Sequence, residues 1–377
     1  MIEYVNRSGS NCYKWDSDES RGLLPLWVAD MDFKVAQPIM DALQRRLNHG
    51  AFGYQYVPQA YYDAVSDWFA RRHDWQGITR ENIICTTGVV SAISAILRAM
   101  TKPGDGVVVQ TPAYNCFFSC MVNLECRLMD NPLLDHDGHF ELNWQHFEEQ
   151  VCQSKAFLLC NPHNPTGRVW TREELTRMAT ICERHNVFVI ADEIHCEFTF
   201  PSVAYTPYAT VAKTTNYCAC TSPSKAFNIA GLHSANIIVP DTNIFQRIDR
   251  AVNIHEVGEL NPFGVEALIA AYNECESWLD ELLQVIYDNY CYLRDFIQIN
   301  LPQLKVSRAE GTFLVWVNVS ALGMSSEELC RRLAEEENVL FNSAEMYGGR
   351  GYIRINIATS REVLTDALQR LQHFITI

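Results

Sequence analysis

One lysine stands where its amine could do covalent chemistry. Lys225 lies in Thr221-Ser-Pro-Ser-Lys-Ala-Phe-Asn-Ile-Ala-Gly231, after an apolar run, Tyr217 to Cys220, that reads as a short buried strand. An amine at the end of a buried strand is desolvated, which lowers its pKa and makes it nucleophilic, so a Schiff base with an aldehyde is one use for it. A solvated loop end is the other reading of such a string. Asp192 follows Val187-Phe-Val-Ile-Ala191, the most hydrophobic strand pattern in the chain. An acid there either caps a helix or meets a buried charge. Gly88 separates the strand pattern Ile83 to Thr86 from a helical pattern running from about Ser91 to Met100. That arrangement either aims free backbone N–H groups at an anion or is an ordinary turn. Tyr114 follows the strand pattern Val107 to Gln110, and Asn164 sits in Asn161-Pro-His-Asn-Pro-Thr-Gly167. Two Asn-Pro pairs make that loop rigid, because proline fixes its own φ and restricts the residue before it.

The elements that must hold these groups alternate between strand and helix patterns. The fold class expected is therefore α/β, with a mostly parallel central sheet flanked by helices and a smaller α+β domain. In such sheets ligands bind outside the carboxyl ends of the strands, and Gly88, Tyr114, Asn164, Asp192 and Lys225 all lie at such ends. Helices are expected from Pro38 to about Gly50, from Gln59 to Arg72 and from Thr171 to His185, the last with Thr171 and Glu174 as a capping box. A helical region from Pro262 to Asn300 leads away from the sheet. Beyond it come a strand at 311–317, a helix at 326–336, a strand at 351–357 with Arg354 on its polar face, and a last helix at 361–374. The expected division is an N-terminal arm, 1–40, joining the small domain, a large domain, 41–285, and a small domain, 286–377. Within the arm, Trp27-Val-Ala-Asp-Met-Asp-Phe33 reads as a short strand, a turn and a packed segment.

Composition narrows the classes. The chain has 377 residues, 48% of them hydrophobic, and a net charge of −15. That charge disfavours nucleic acid and anionic membrane as partners. No apolar run is long enough to cross a bilayer, and the first ten residues lack the apolar core of a secretory signal. The 14 cysteines include no Cys-x-x-Cys pair. No metal is expected, and free thiols in a reducing cytoplasm are the simplest reading.

Thr87-Gly88, Pro112-Ala-Tyr114, Asn161 to Gly167, Asp192-Glu-Ile-His195, Ser222-Pro-Ser-Lys225 and Arg354 together resemble the pyridoxal-phosphate enzymes of the aspartate aminotransferase fold (fold type I), in that family's order and spacing. The resemblance covers almost the whole chain. Trp27 to Phe33, Asp192 to His195 and Ser224 to Gly231 look most like the MalY/PatB branch of cystathionine β-lyases, which are cysteine C–S lyases. The wider family usually places a phosphate-binding arginine eight positions after the lysine. Here that position is His233, which fits the C–S lyase branch and leaves the phosphate one charge fewer.

The resemblance implies pyridoxal 5'-phosphate as cofactor and assigns the roles. Lys225 would hold the cofactor and later take the Cα proton, Asp192 would pair with the pyridine nitrogen, and Tyr114 would stack on the ring. Asn164 would meet the ring 3-oxygen and the substrate. His195 stands near that oxygen where many relatives have tyrosine, or else only buttresses the site. The N–H groups of Gly88 and Val89 and the Ser222 hydroxyl would hold the phosphate. Tyr54 would reach it from a neighbouring subunit, implying a homodimer with shared sites. Arg354 would grip the substrate α-carboxylate in a bidentate geometry. The implied reaction is α,β-elimination from an S-substituted L-cysteine such as L-cystathionine, releasing a thiol, pyruvate and ammonia. A class I/II aminotransferase is the first alternative, and a regulatory protein retaining the pocket is the second.

Overall fold

The computed structural model describes residues 2–256 and 258–376. Its larger sheet has seven strands: β1 (Ile83–Thr86), β2 (Gly106–Val109), β3 (Arg127–Asp130), β4 (Ala156–Cys160), β5 (Phe188–Asp192), β6 (Tyr217–Thr221) and β7 (Ala235–Ile238). Their spatial order is β1-β7-β6-β5-β4-β2-β3, and only β7 runs against its neighbours. Successive side chains alternate faces, and both faces are covered. Val108, Phe157, Leu159, Val189 and Ala191 enter one core. Val107, Val109, Leu158, Phe188 and Ile190 enter the other, against the helix Val89–Met100. Asp192 shares the parity of Phe188 and Ile190, so it faces that helix, and Glu193 faces the opposite layer.

The expected α/β architecture is present, with local differences. The edge strand β3 and the helix Asn115–Asn123 carry no clear sequence signal, whereas the helix Thr242–Val252 was missed although Asp241 caps it and Ile244, Phe245, Ile248 and Val252 mark one face. β3 is half exposed along its length, which removes the apolar contrast that marks an inner strand. The long helical region is two helices, Pro262–Glu274 and Glu276–Asn300, broken at Cys275. Apolar residues continue across the break and hide it from periodicity. The expected strand at 311–317 begins only at Leu314. Gly311 instead bridges Thr199, and a Cβ on it would lie 2.2 Å from the Phe198 carbonyl oxygen. Thr171 and Glu174 do form a capping box.

The smaller sheet consists of β8 (Lys305–Val306), β9 (Leu314–Asn318), β10 (Asn342–Ser343) and β11 (Tyr352–Asn356) in the order β8-β9-β11-β10, all antiparallel. The N-terminal arm reaches it through Leu24–Pro25, which pairs in parallel with Val339–Leu340. The expected division at 285/286 falls inside the helix Glu276–Asn300.

Buried polar side chains hold the arm. Lys14 and Asp32, both fully buried, form an ion pair at 2.7 Å, and the Trp15 indole donates to Asp32 at 2.8 Å. Asn228 donates to the Met31 and Phe33 carbonyls, and Asn356 donates to those of Val28 and Asp30. A buried backbone carbonyl without a donor is costly, so these amides fix the path of the arm where it has no sheet of its own. No helix among the described residues is long and apolar enough to cross a membrane.

Candidate active site

A cavity of about 360 Å³ opens at the carboxyl ends of β1, β4, β5 and β6. Lys225 rises into it from the short turn of helix Pro223–Ala226 that follows β6. Its Nζ donates to the Ala29 carbonyl at 2.6 Å. Burial pulls its pKa down, and the nearby Asp30 carboxylate works against that shift. Burial thus disfavours the charged amine, the character a nucleophile or base requires.

Asp192 faces the same space from the end of β5. Its Oδ1 accepts the Ile194 N–H at 3.1 Å. Burial pushes its carboxyl up to about 7, and the Ile194 N–H and the Lys225 charge offset this only in part. A buried acid so placed suits a cationic hydrogen-bond donor on a ligand.

The third wall is the start of the helix Val89–Met100. Gly88 is its N-cap and no side chain caps it. Gly88 and Val89 line the cavity, and the Ser91 hydroxyl turns back to the Gly88 carbonyl at 2.8 Å. The first N–H groups therefore open on the cavity with the positive end of the helix dipole behind them, a setting for an anion. Ser222 lies close by with its hydroxyl already committed: it donates to Ser234 O at 2.7 Å and accepts from Ser224 N at 3.0 Å. It must turn from Ser234 to donate to an anion. His233, in a left-handed conformation with φ +51°, also lines the cavity and is exposed.

Tyr114 is the N-cap of the helix Asn115–Asn123, its ring edge-on to Phe117 with centroids 5.7 Å apart. Burial pushes its phenol pKa up. Asn164 and His195 are buried. Burial holds the His195 imidazole near a pKa of about 3, hence neutral, and its Nδ1 has no protein partner. Asn164 Oδ1 accepts from Arg354 Nη1 at 3.3 Å, which ties the rigid loop after β4 to β11 of the small domain. Arg354 also donates through Nη2 to the Trp27 carbonyl at 2.6 Å, and burial draws its pKa down. Among the described residues no carboxylate lies within salt-bridge distance of it.

Lys225, Asp192, Asn164, Tyr114, Gly88, Val89, Ser222 and His195 thus share one cavity, and Arg354 joins it through Asn164. Tyr54 does not: it is 99% exposed and lies in a separate surface groove with Tyr56 and Leu260. The sequence reading assigned no part to the Ala29 and Trp27 carbonyls, which receive Lys225 and Arg354. Backbone acceptors leave no mark in residue types, but the buried amides that hold this arm do.

Glu193, directly after Asp192, was also unassigned. It is fully buried on the opposite face, where it accepts the Tyr208 N–H at 2.7 Å, and burial pushes its carboxyl up to about 8. With a folded pKa above the unfolded value near 4.5, the folded chain keeps a proton the unfolded chain has lost between about pH 4.5 and 8. Stability from this group is therefore lost as pH rises through that window, at up to about 1.4 kcal/mol per pH unit. In cofactor-free protein, Glu193→Gln should reduce the fall in urea midpoint between pH 5.5 and 8. An unchanged fall would show that Glu193 is ionised in the fold.

Residues 22–371 match the family described as aminotransferase class I and II. The chain is 37% identical over 376 residues to cystathionine beta-lyase PatB of Bacillus subtilis, covering 97% of each chain. It is 32% identical to protein MalY of Escherichia coli, covering 97% of this chain and 96% of that one. The crystal structure of cystalysin from Treponema denticola, which contains a pyridoxal 5'-phosphate cofactor, superposes with a TM-score of 0.94 at 31% identity, covering 100% of this chain and 99% of the other. With the site geometry above, these matches establish that the chain belongs to the aminotransferase class I and II family, on the branch that holds PatB and MalY.

Proposed function

We propose that this protein is a pyridoxal-phosphate-dependent carbon–sulfur β-lyase that acts on S-substituted L-cysteines, L-cystathionine among them, and releases a thiol, pyruvate and ammonia. The observation that carries the reading is a desolvated amine, Lys225, sharing one cavity with a buried carboxyl, Asp192, and an open helix N-terminus at Gly88. These three groups fit the cofactor's aldehyde, its pyridine nitrogen and its phosphate. His195 also lines the cavity, and its buried Nδ1 has no hydrogen-bond partner among the described residues. When bound, pyridoxal phosphate supplies an electron sink for a carbanion at the substrate Cα.

The residues divide the remaining work. Lys225 accepts the Cα proton, a role that a desolvated amine suits. Asp192 keeps a negative charge where a protonated ring nitrogen must stay protonated. Asn164 and Arg354 orient the substrate, with the guanidinium on the α-carboxylate, and Tyr114 covers a ring face. The N–H groups of Gly88 and Val89, and Ser222 once turned, hold the phosphate, with His233 in reach of the same region. Sulfur leaves as a thiolate, a better leaving group than an alkoxide or a carbanion, which selects thioethers at the β position.

Tyr54 takes part only if a second copy supplies it. Its near-complete exposure, with Phe52 and Tyr56 also exposed nearby, supports a homodimer with shared sites. All 14 cysteines are free thiols, which suits a reducing compartment such as the cytoplasm.

The test is direct. Holoenzyme given L-cystathionine or S-methyl-L-cysteine should form pyruvate and free thiol in equal amounts. No pyruvate, together with amino transfer to a keto acid in a coupled assay, would assign the site to transamination.

A further inference from the structure

A buried arginine without a carboxylate keeps its position only if neutral groups hold it, and the groups that hold Arg354 form a closed ring. Arg354 Cζ lies 4.8 Å from the ring centroid of Tyr347, a fully buried residue. Asn342 stands opposite Arg354 in the β10/β11 register. Its Nδ2 donates to the Trp27 carbonyl at 2.9 Å and to the Tyr347 hydroxyl at 2.9 Å. The same Trp27 carbonyl receives Arg354 Nη2 at 2.6 Å. A carbonyl oxygen only accepts, so the amide nitrogen of Asn342 must face it, and both of its hydrogens are then used. Trp316, which pairs with Arg354 across β9 and β11, packs edge-on to Tyr347 with centroids 5.6 Å apart. The Tyr347 carbonyl accepts the Ala113 N–H at 2.8 Å, so the same residue also steadies the turn that carries Tyr114.

We infer that Tyr347 and Asn342 are positioning residues that fix the Arg354 guanidinium for a carboxylate, and so set the preference of the site for α-amino acids over amines lacking that group. The inference rests on the reading of Arg354 as carboxylate receptor. The Tyr347 ring face stabilises the cation without neutralising it, so the charge stays available to a ligand. Asn342 prevents the Trp27 carbonyl from turning away, and Trp316 prevents the Tyr347 ring from tilting. A carboxylate counter-ion in Tyr347's place would hold Arg354 equally well and repel the substrate.

Binding to the holoenzyme separates this role from general support of the fold. S-methyl-L-cysteine and 2-(methylthio)ethylamine, the same thioether without its carboxylate, are titrated against the visible spectrum, and kcat and KM are measured for the amino acid. Tyr347→Leu is expected to weaken the amino acid about 30-fold in Kd and KM, the size of a desolvated cation–π contact, with kcat within about threefold and amine binding unchanged. Tyr347→Phe keeps the ring face but leaves the second Asn342 amide hydrogen without its acceptor, so its loss should lie between those of the parent and Tyr347→Leu. An equal loss for both ligands, or a fall in kcat alone, would overturn the inference. Arg354→Met separates the two levels: if it too leaves the preference for the amino acid intact, the reading of Arg354 fails. If it abolishes the preference while Tyr347→Leu does not, only the role of Tyr347 fails.

Discussion

Replacement of Lys225 by alanine is expected to reduce pyruvate formation from an S-substituted L-cysteine by at least about 10³-fold, because one side chain supplies both the covalent anchor and the base. The visible absorption band of the holoenzyme should vanish once bound cofactor is dialysed away. The Ala29 carbonyl loses its 2.6 Å donor in this variant, so a stability cost of about 1–3 kcal/mol is expected as well. Lys225→Arg separates the two effects. It keeps a cationic donor for Ala29 O but cannot lose a proton at accessible pH, so it should retain the anchor to the arm and remain inactive. Substantial turnover in either variant, measured as pyruvate released, would remove Lys225 from the chemistry.

Asp192→Asn should change activity and stability in opposite directions. Asn is nearly isosteric and still accepts the Ile194 N–H, but it carries no charge to hold a ring nitrogen protonated. Turnover should fall by about 10²–10³-fold, the usual effect of removing one preorganised electrostatic group. The cofactor-free protein should be more stable than the parent at pH 8. The reason is the sign of the shift: burial raises the Asp192 carboxyl from 3.8 to about 7, so ionising it in the fold costs stability that grows as pH rises through that interval. Urea midpoints at pH 5 and pH 8 measure this. A variant less stable than the parent at pH 8 would mean the carboxylate has a cationic protein partner.

Most of the site could be read in advance because its residues are tied to strand ends. β1, β4, β5 and β6 are short, apolar and bounded by Gly, Pro or polar residues, so Gly88, Asn164, Asp192 and Lys225 could be ordered along one sheet edge. Arg354 was expected on the polar face of its strand. In the structure the whole strand Tyr352–Asn356 is buried, and Arg354 meets the cavity through Asn164. What stayed hidden depends on contacts distant in sequence. The Trp27 and Ala29 carbonyls meet side chains 327 and 196 residues away. The commitment of the Ser222 hydroxyl to Ser234 is equally invisible in a residue list. Tyr54 marks the boundary in the other direction, since a single chain offers it nothing to touch.

The pairing of Leu24–Pro25 with Val339–Leu340 has a consequence for how the protein is made. During translation the arm emerges more than 300 residues ahead of its strand partners. The nascent chain can build the sheet from β1 to β7 while the carbonyls of Leu26, Trp27, Val28 and Asp30 still lack their donors from Asn342, Arg354 and Asn356. Catalytic competence therefore arrives late in synthesis, when β10 and β11 leave the ribosome and close the loop in sequence space. Contacts of such long range slow folding, so the arm is the segment a chaperone would find exposed longest.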